Sequence, residues 1–416
     1  MKTFSRISII LILLFITGTT TVSAKHFATS PNPGPLSPLL LVRSFPSPLV
    51  LLKLSPASGC TEPILLTGTA EDQLQTDLNG TAADTDFDGR DDIGTLFTQL
   101  DIEGSCVIGS VQLSLRSVLK SPYLFSSGVM EETANNTPDI LDLPPFTATG
   151  SAYSFFDVYL EIQLGGYTLH NQSPVHITGT FLRTPPNPGD HYDSSGTVSL
   201  YNEDNTPIGV NILNFTYYPV AIERVFPHAL GLLTLTALSG PVEPILLHGI
   251  AIDRLGTDTN GLAEDMDLDG LDQIKTVFVS LDMSGTSSLG KIHLILRSAA
   301  KSPYLSSEGQ MEDMINNTIG ILDLPPFTPL GIVHSYYDMY LELRIGAEIL
   351  HNEEAIHLIG TSFQTPPRPG EYYINSGPGQ LFDEMNVESR TVLSEFIFYL
   401  APYTVDFPMI IRGPSY

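Results

Sequence analysis

The chain has 416 residues and a net charge of −27, from 46 acidic against 19 basic side chains, with 42% hydrophobic residues. This length is sufficient for two or three domains, and the 20 Phe and 17 Tyr indicate globular β-rich domains rather than disorder. Nucleic acid and anionic membrane surfaces both require clustered Lys and Arg, so we expect neither as a partner.

The first residues predict export. Lys2 and Arg6 precede an apolar run at residues 7–16, and Val22-Ser23-Ala24 has the small-x-small pattern of a cleavage site. Ten apolar residues are too few to span a bilayer of about 30 Å. We therefore expect a signal peptide at residues 1–24, a Pro/Ser-rich leader at 25–45, and a secreted protein, extracellular or periplasmic, without membrane insertion after cleavage.

The chain repeats itself at an interval of 181 residues. The segment "EPILLTG" at Glu62 returns as "EPILLHG" at Glu243, and "ILDLPPFT" occurs at both Ile140 and Ile321. Further pairs at this interval are "LHN" at Leu169 and Leu350, "TPP" at Thr184 and Thr365, and Phe-Pro at Phe45, Phe226 and Phe407. The repeat predicts two homologous domains, at residues 46–226 and 227–407, and a C-terminal tail at 408–416.

Alternating apolar residues predict strands in each copy. Residues 109–117 place Val111, Leu113 and Leu115 on one face. Residues 156–164 continue the pattern to a Gly165-Gly166 hairpin turn, repeated at Gly346-Ala347. The inward residues of this segment are Val158, Leu160, Ile162 and Leu164, and the outward ones are Asp157, Tyr159, Glu161 and Gln163. We predict an all-β fold of two tandem homologous β-sandwich domains with Asp-rich loops.

Each copy contains one loop in which Asp alternates with other residues. "DTDFDGRDD" begins at Asp84 and "DMDLDGLDQ" begins at Asp265. Alternating carboxylates before a Gly supply oxygens to Ca²⁺, although a solvated acidic turn has the same composition. The predicted Ca²⁺ ligands are Asp77, Asn79, Asp84, Asp86, Asp88, Asp91, Asp258, Asn260, Asp265, Asp267, Asp269 and Asp272.

This D-x-D-x-D-G motif resembles the calcium loops of EF-hand, dockerin and thrombospondin type 3 modules, and the resemblance covers only the loop. Thr95 and Thr276 stand where an EF-hand has its bidentate Glu, and the flanks are predicted strands. The resemblance therefore implies a structural Ca²⁺ bound between strands rather than an EF-hand. The repeat as a whole resembles units of secreted bacterial repeat proteins.

The hairpin turn also predicts a second candidate site. Its register pairs Glu161 with His170, and Glu342 with His351 in the second copy. A carboxylate beside an imidazole suits acid–base chemistry or, with His176 or His357, a transition metal; an ordinary polar pair on an exposed sheet is the alternative. The surrounding faces are Asp157/Tyr159/Glu161 and Asp338/Tyr340/Glu342.

Cys60 and Cys106 are the two cysteines, and in an oxidising compartment they predict a disulfide within the first copy. The sequence contains no Ser elbow, P-loop or HExxH motif, so it does not indicate an enzyme. We expect a calcium-stabilised structural or adhesive protein whose partner is a protein or glycan of the cell surface or matrix. The alternative is a glycan-binding or glycan-cleaving module using the Asp157/Tyr159/Glu161 face and its copy, and a bivalent protein scaffold is a third hypothesis.

Overall fold

The computed structural model describes residues 23–24, 40–237, 240–241, 244–288 and 290–400. Most of the predicted signal peptide, residues 25–39 of the predicted leader and the predicted tail lie outside this part of the chain. Within it, no helix is long and apolar enough to cross a membrane. One short 3-10 turn, Pro56–Ser58, is the only helical element of the described residues.

The described residues form two all-β modules, which confirms the predicted fold class. The strands of the first module are β1 (Ser23–Ala24), β2 (Leu41–Phe45), β3 (Leu49–Leu54), β4 (Ile64–Leu74), β5 (Asp92–Cys106), β6 (Gly109–Leu115), β7 (Ser127–Glu132), β8 (Ala152–Val158), β9 (Leu160–Leu164), β10 (Tyr167–Asn171), β11 (Val175–Phe181), β12 (Tyr192–Ser194), β13 (Val198–Asn202) and β14 (Pro207–Tyr218).

The strands of the second module follow the same plan. They are β15 (Ile222–Ala237), β16 (Gly240–Pro241), β17 (Ile245–Leu255), β18 (Gln273–Ser287), β19 (Gly290–Leu296), β20 (Glu308–Asp313), β21 (Val333–Met339), β22 (Leu341–Ile345), β23 (Glu348–His351), β24 (Ile356–Ser362), β25 (Tyr373–Asn375), β26 (Gly379–Asp383) and β27 (Glu388–Tyr399).

Each module is a two-layer sandwich whose layers share long bent strands. The first half of β5 pairs with β7, and its second half pairs with β6. Likewise, β14 pairs with β13 near its start and with β12 near its end. One layer therefore contains β6, β9, β10 and β13, and the other contains β7, β8, β11 and β12. Long strands that pass from one layer to the other are a known way to close a sandwich at its corners.

The predicted inward residues fill the core between the layers. Val111 and Leu113 of β6 are fully buried, and so is Ile162 of β9. They lie in one apolar cluster with Phe156 of β8 and Ile177 of β11, from the opposite layer. The predicted register of the hairpin is also confirmed, because Glu161 pairs with His170 and Glu342 with His351.

One strand prediction was wrong. Residues 156–164 are not a single strand: β8 ends at Val158 and β9 begins at Leu160, in the other layer. Tyr159, predicted to face outward, is the corner residue and is only 7% exposed. The corner is held by Asn171, whose side-chain oxygen accepts from Leu160 N at 2.6 Å and whose amide donates to the Val158 carbonyl at 2.9 Å.

The structure places the predicted domain limits inside the sheets. β2 lies within the predicted leader yet pairs with β4 of the first module. The predicted boundary at residues 226 and 227 falls within β15, which begins at Ile222. Both observations have one cause. The residues that lead up to each Phe-Pro pair, 41–45 and 222–226, form a strand with the module that follows, by pairing with β4 and β17.

Cys60 and Cys106 are joined by a disulfide with Cα atoms 5.8 Å apart, as the sequence predicted. The bond joins the segment before β4 to the end of β5. Ser287 stands at the position of Cys106 in the second module.

Candidate metal loops and the intermodule cleft

Three of the predicted ligands in each acidic loop come together. Asp84, Asp86 and Asp88 each offer a carboxylate oxygen within 4.8 Å of the other two, and Asp265, Asp267 and Asp269 do the same. Ca²⁺ binds oxygens at about 2.4 Å, so two oxygens on opposite sides of one ion lie about 4.8 Å apart. The three carboxylates of each loop could hold a metal ion, and oxygen donors are the type that hard cations such as Ca²⁺ take.

Local backbone geometry produces this convergence. Gly89 and Gly270 have φ of 94° and 93°, in the left-handed region that Gly adopts without steric strain. The Asp84 carboxylate accepts from Asp88 N at 3.1 Å and from Gly89 N at 3.0 Å, which folds the loop back on itself. The same two bonds recur at Asp265.

The two loops differ at two charged positions, Arg90 against Leu271 and Asp92 against Gln273. Arg90 follows the first loop, and its guanidinium contacts the carboxylates of Asp88 and Glu131. Hydrogen bonds from Arg90 lower the pKa of Asp88. Leu271 occupies the position of Arg90 in the second loop, so the second triplet lacks the cation that Arg90 places beside the first.

Asp77 and Asn79 lie in a separate turn. The Asp77 carboxylate accepts from Asn79 N at 2.9 Å and Thr81 N at 3.1 Å. These hydrogen bonds lower its pKa. Asp258 makes the corresponding bonds in the second module. In this structure the Asp77 and Asp258 side chains organise their own turns.

Asp91 and Asp272 point away from the triplets into the protein. Asp91 is 3% exposed, and its carboxylate accepts from Asp139 N at 2.7 Å. Its backbone N–H donates to Glu132, which is also buried and whose pKa burial raises. Asp91 therefore ties the end of the acidic loop to the segment after β7, and Asp272 does the same through Gly320 N.

The two His-containing sites differ from their prediction. His170 and His351 are fully buried, and Glu161 forms ion pairs with Arg116 and Lys120 instead of bonding to His170. Burial lowers the pKa of His170. His176 Nδ1 lies 2.8 Å from Asp157, its cross-strand neighbour, so the imidazoles of His170 and His176 have different partners.

The sequence did not reveal a cleft of about 260 Å³ between the modules. Glu308 lies there on β20, cross-strand from Asp338, and its Oε1 is buried without a hydrogen-bond partner. Burial raises the pKa of Glu308 to about 8, with Lys275 opposing and Asp338 adding to the shift. The rings of Tyr336 and Tyr340 also line the cleft. Ser127 replaces Glu308 in the first module, so comparison of the repeats does not mark it.

A buried ion pair was also missed. The Arg43 guanidinium donates to both oxygens of Asp72, at 2.7 and 2.5 Å, and to Thr184 at 2.8 Å. Arg224 and Asp253 repeat the pair. Both residues of each pair recur at the 181-residue interval, and that recurrence was the available signal. Their burial at the start of each module indicates a structural role.

No protein-family model and no curated protein sequence matches the chain. Among solved structures, the chain is similar to DynF from the dynemicin biosynthesis pathway of Micromonospora chersina. The match has 17% identity and a TM-score of 0.33, and it covers 45% of this chain and 86% of that one. A likeness at this level carries no argument about function.

Proposed function

We propose that the protein is a secreted structural or adhesive protein whose two modules are each stabilised by Ca²⁺ at the acidic loop. The observation that carries the proposal is the convergence of three carboxylates at the same place in both modules. Three like charges in one exposed loop repel one another, and a bound cation removes that repulsion. A partner on the cell surface or in the matrix, protein or glycan, then binds a scaffold with fixed loops.

Calorimetric titration of Ca²⁺ into the EDTA-treated chain tests the metal sites. We expect two sites per chain, with Kd of about 10⁻⁴ to 10⁻³ M, as in extracellular modules. Asp86→Ala with Asp88→Ala removes one site, and Asp267→Ala with Asp269→Ala removes the other. Glu354→Ala, on an exposed turn outside both loops, is the control. Equal titration heats in all variants contradict the proposal.

A second candidate function, glycan binding, is favoured by the cleft rather than by the face predicted from sequence. Glu342 is engaged by Arg297, Lys301 and Arg344, which leaves little of its carboxylate for a ligand. Glu308 instead has an oxygen without a hydrogen-bond partner, beside the rings of two tyrosines. A sugar hydroxyl can bond such an oxygen, and a sugar ring can stack on a tyrosine. Binding to a glycan array tests this function. We expect Glu308→Gln to abolish binding and Glu348→Gln, at an exposed position, to preserve it. Equal binding by the two variants excludes the cleft as the glycan site.

A further inference from the structure

The contact between the two modules buries an apolar edge of the first. Leu49, Leu65 and Tyr218 of the first module are at most 2% exposed and lie in one cluster with Val277 of the second. Leu51 and Val279 pack against this cluster from the two sides. The modules are therefore docked through a dry contact, in addition to the chain connection at residues 219–221.

A turn of the second module completes the contact. A side chain on Gly189 would lie 2.9 Å from Asp258 Cα and 2.8 Å from Thr259 N, so the Asp258 turn rests directly on the Gly189 backbone. Beside it, the rings of His191 and Tyr218 lie 5.3 Å apart. We call the first-module side of this contact, at residues 187–193 and Tyr218, the acceptor face, and the Asp258 turn with Val277 the donor face.

The second module carries its own acceptor face, and in this structure nothing among the described residues covers it. Tyr372 and Tyr399 repeat the ring pair, at 5.6 Å, and Tyr372 is 50% exposed. Leu230 and Leu246 are half-buried where Leu49 and Leu65 are fully buried. A groove of about 540 Å³ follows this face, lined by Phe363, Arg368, Glu371, Tyr372 and Ile374 among others.

The first module in turn carries its own donor face. The Asp77 turn has the same carboxylate-to-backbone hydrogen bonds as the Asp258 turn. Leu78, at its tip, is 64% exposed. Leu96 is half-buried at the position where Val277 is buried in the module contact. Each chain thus has one acceptor face and one donor face left over, at opposite modules.

We propose that the chain associates head to tail with further copies of itself, the Asp77 turn of one copy docking in the groove of the second module of the next. The two faces differ from each other, so the contact is heterologous. It leaves a free face at each end and builds open filaments unless its rotation closes a ring.

Two features of the groove fit this occupant. Arg368 stands where the first module has Asn187, so the incoming Asp77 turn brings a carboxylate toward a guanidinium. Oε2 of Glu371 is buried without a hydrogen-bond partner. The Asn79 amide of the incoming turn gives one N–H to Asp77 and has a second N–H to donate. Within the chain, the corresponding contact has no such cation.

The covalent link between the modules indicates the protein concentration at which separate chains should associate. Modules joined by a short linker meet at an effective concentration of about millimolar, which a contact between separate chains lacks. Association is therefore expected as the protein concentration approaches about 1 mM. The loops with the Asp triplets take no part in the proposed contact, so the association does not depend on calcium binding.

Sedimentation of the full chain, purified from an exporting host, tests the proposal. We expect the mass to rise with concentration beyond two chains. Leu78→Arg blocks the donor face and Tyr372→Arg blocks the acceptor face, so each variant alone remains a monomer. An equimolar mixture of the two variants forms a dimer and stops there, because its remaining faces are both blocked. Leu119→Arg, at a site 84% exposed and outside both faces, behaves as the unchanged chain.

Four outcomes overturn the proposal. The first is a chain that remains monomeric at 1 mM, and the second is assembly that Leu78→Arg or Tyr372→Arg leaves unchanged. The third is association only after removal of residues 401–416, since that result means the C-terminal segment occupies the groove. A two-fold dimer that forms from either variant alone also contradicts it, because the contact is then not head to tail.

Discussion

At the scale of single residues, Arg90 distinguishes the first acidic loop from the second. Its guanidinium contacts Asp88 and competes with a cation for that carboxylate. We expect Arg90→Leu to tighten Ca²⁺ binding at the first loop about two- to fivefold, an effect of the size seen for exposed charge pairs. The measurement is calorimetric titration in chains whose second loop carries Asp267→Ala and Asp269→Ala. Leu271→Arg, tested in a chain whose first loop carries Asp86→Ala and Asp88→Ala, should weaken Ca²⁺ binding at the second loop by a similar factor. Unchanged affinity in both variants would show that Arg90 does not affect Ca²⁺ binding.

Glu308 makes the stability of the second module depend on pH. Its folded pKa of about 8 lies above the usual 4.5, so the folded protein keeps a proton that the unfolded chain releases. The associated stability is complete below about pH 4.5 and is lost as the pH rises toward 8. We expect Glu308→Gln to gain about 2 to 4 kcal/mol relative to the unchanged chain at pH 8 and little at pH 4.5. Urea unfolding at both pH values measures this; Glu348→Gln, at an exposed position, should show no such difference.

At the scale of elements, the corner between β8 and β9 depends on one amide. The Asn171 side chain bonds the backbone on both sides of the corner, at Val158 and at Leu160. Asn352 makes the corresponding bonds in the second module, at 2.7 and 2.8 Å. The recurrence of "LHN" thus has a structural reason. Asn171→Leu leaves the Leu160 N–H and the Val158 carbonyl without these bonds, and we expect a loss of about 2 to 4 kcal/mol.

Urea unfolding of the Asn171→Leu chain measures the loss, and Gln163→Ala, at an exposed position of β9, is the neighbouring control that should leave the stability unchanged. If Asn171→Leu unfolds at the same urea concentration as the unchanged chain, the corner does not depend on the amide.

The sequence predicted strands, register and the disulfide because each has a local or spacing signal. Gly165-Gly166 fixed the register of its hairpin, and the 181-residue interval identified the repeat. Alternation could not locate the corner at Tyr159, because Val158 and Leu160 are both buried whether the chain stays in one layer or crosses to the other. Burial of Arg43 with Asp72 was missed because the pairing depends on packing between distant segments.

The site was predictable to a similar extent. Asp84, Asp86 and Asp88 converge because the alternating pattern and Gly89 lie in one loop. Asp91 belongs to the same acidic segment, yet its side chain points into the protein because strand β5 begins at the next residue, Asp92. The Glu308 cleft needs residues from both modules, so a motif within one copy could not indicate it.

At the scale of the whole molecule, the duplication explains both what the modules share and what each lacks. Both keep the Asp triplet, the corner amide and the buried Arg–Asp pair. They differ at their ends, where the first module's acceptor face is covered by the second, whereas no residue in the described part of the chain covers the second module's acceptor face.

Thermal unfolding of the chain in EDTA and in millimolar Ca²⁺ measures the proposed stabilisation by calcium. At ten times Kd each ion adds about 1.4 kcal/mol, which raises Tm by roughly 3 to 6 °C for modules of this size. The account predicts that rise, and predicts its loss when Asp86, Asp88, Asp267 and Asp269 are all changed to Ala. The same Tm in EDTA and in Ca²⁺ would contradict it and leave both loops as solvated acidic turns.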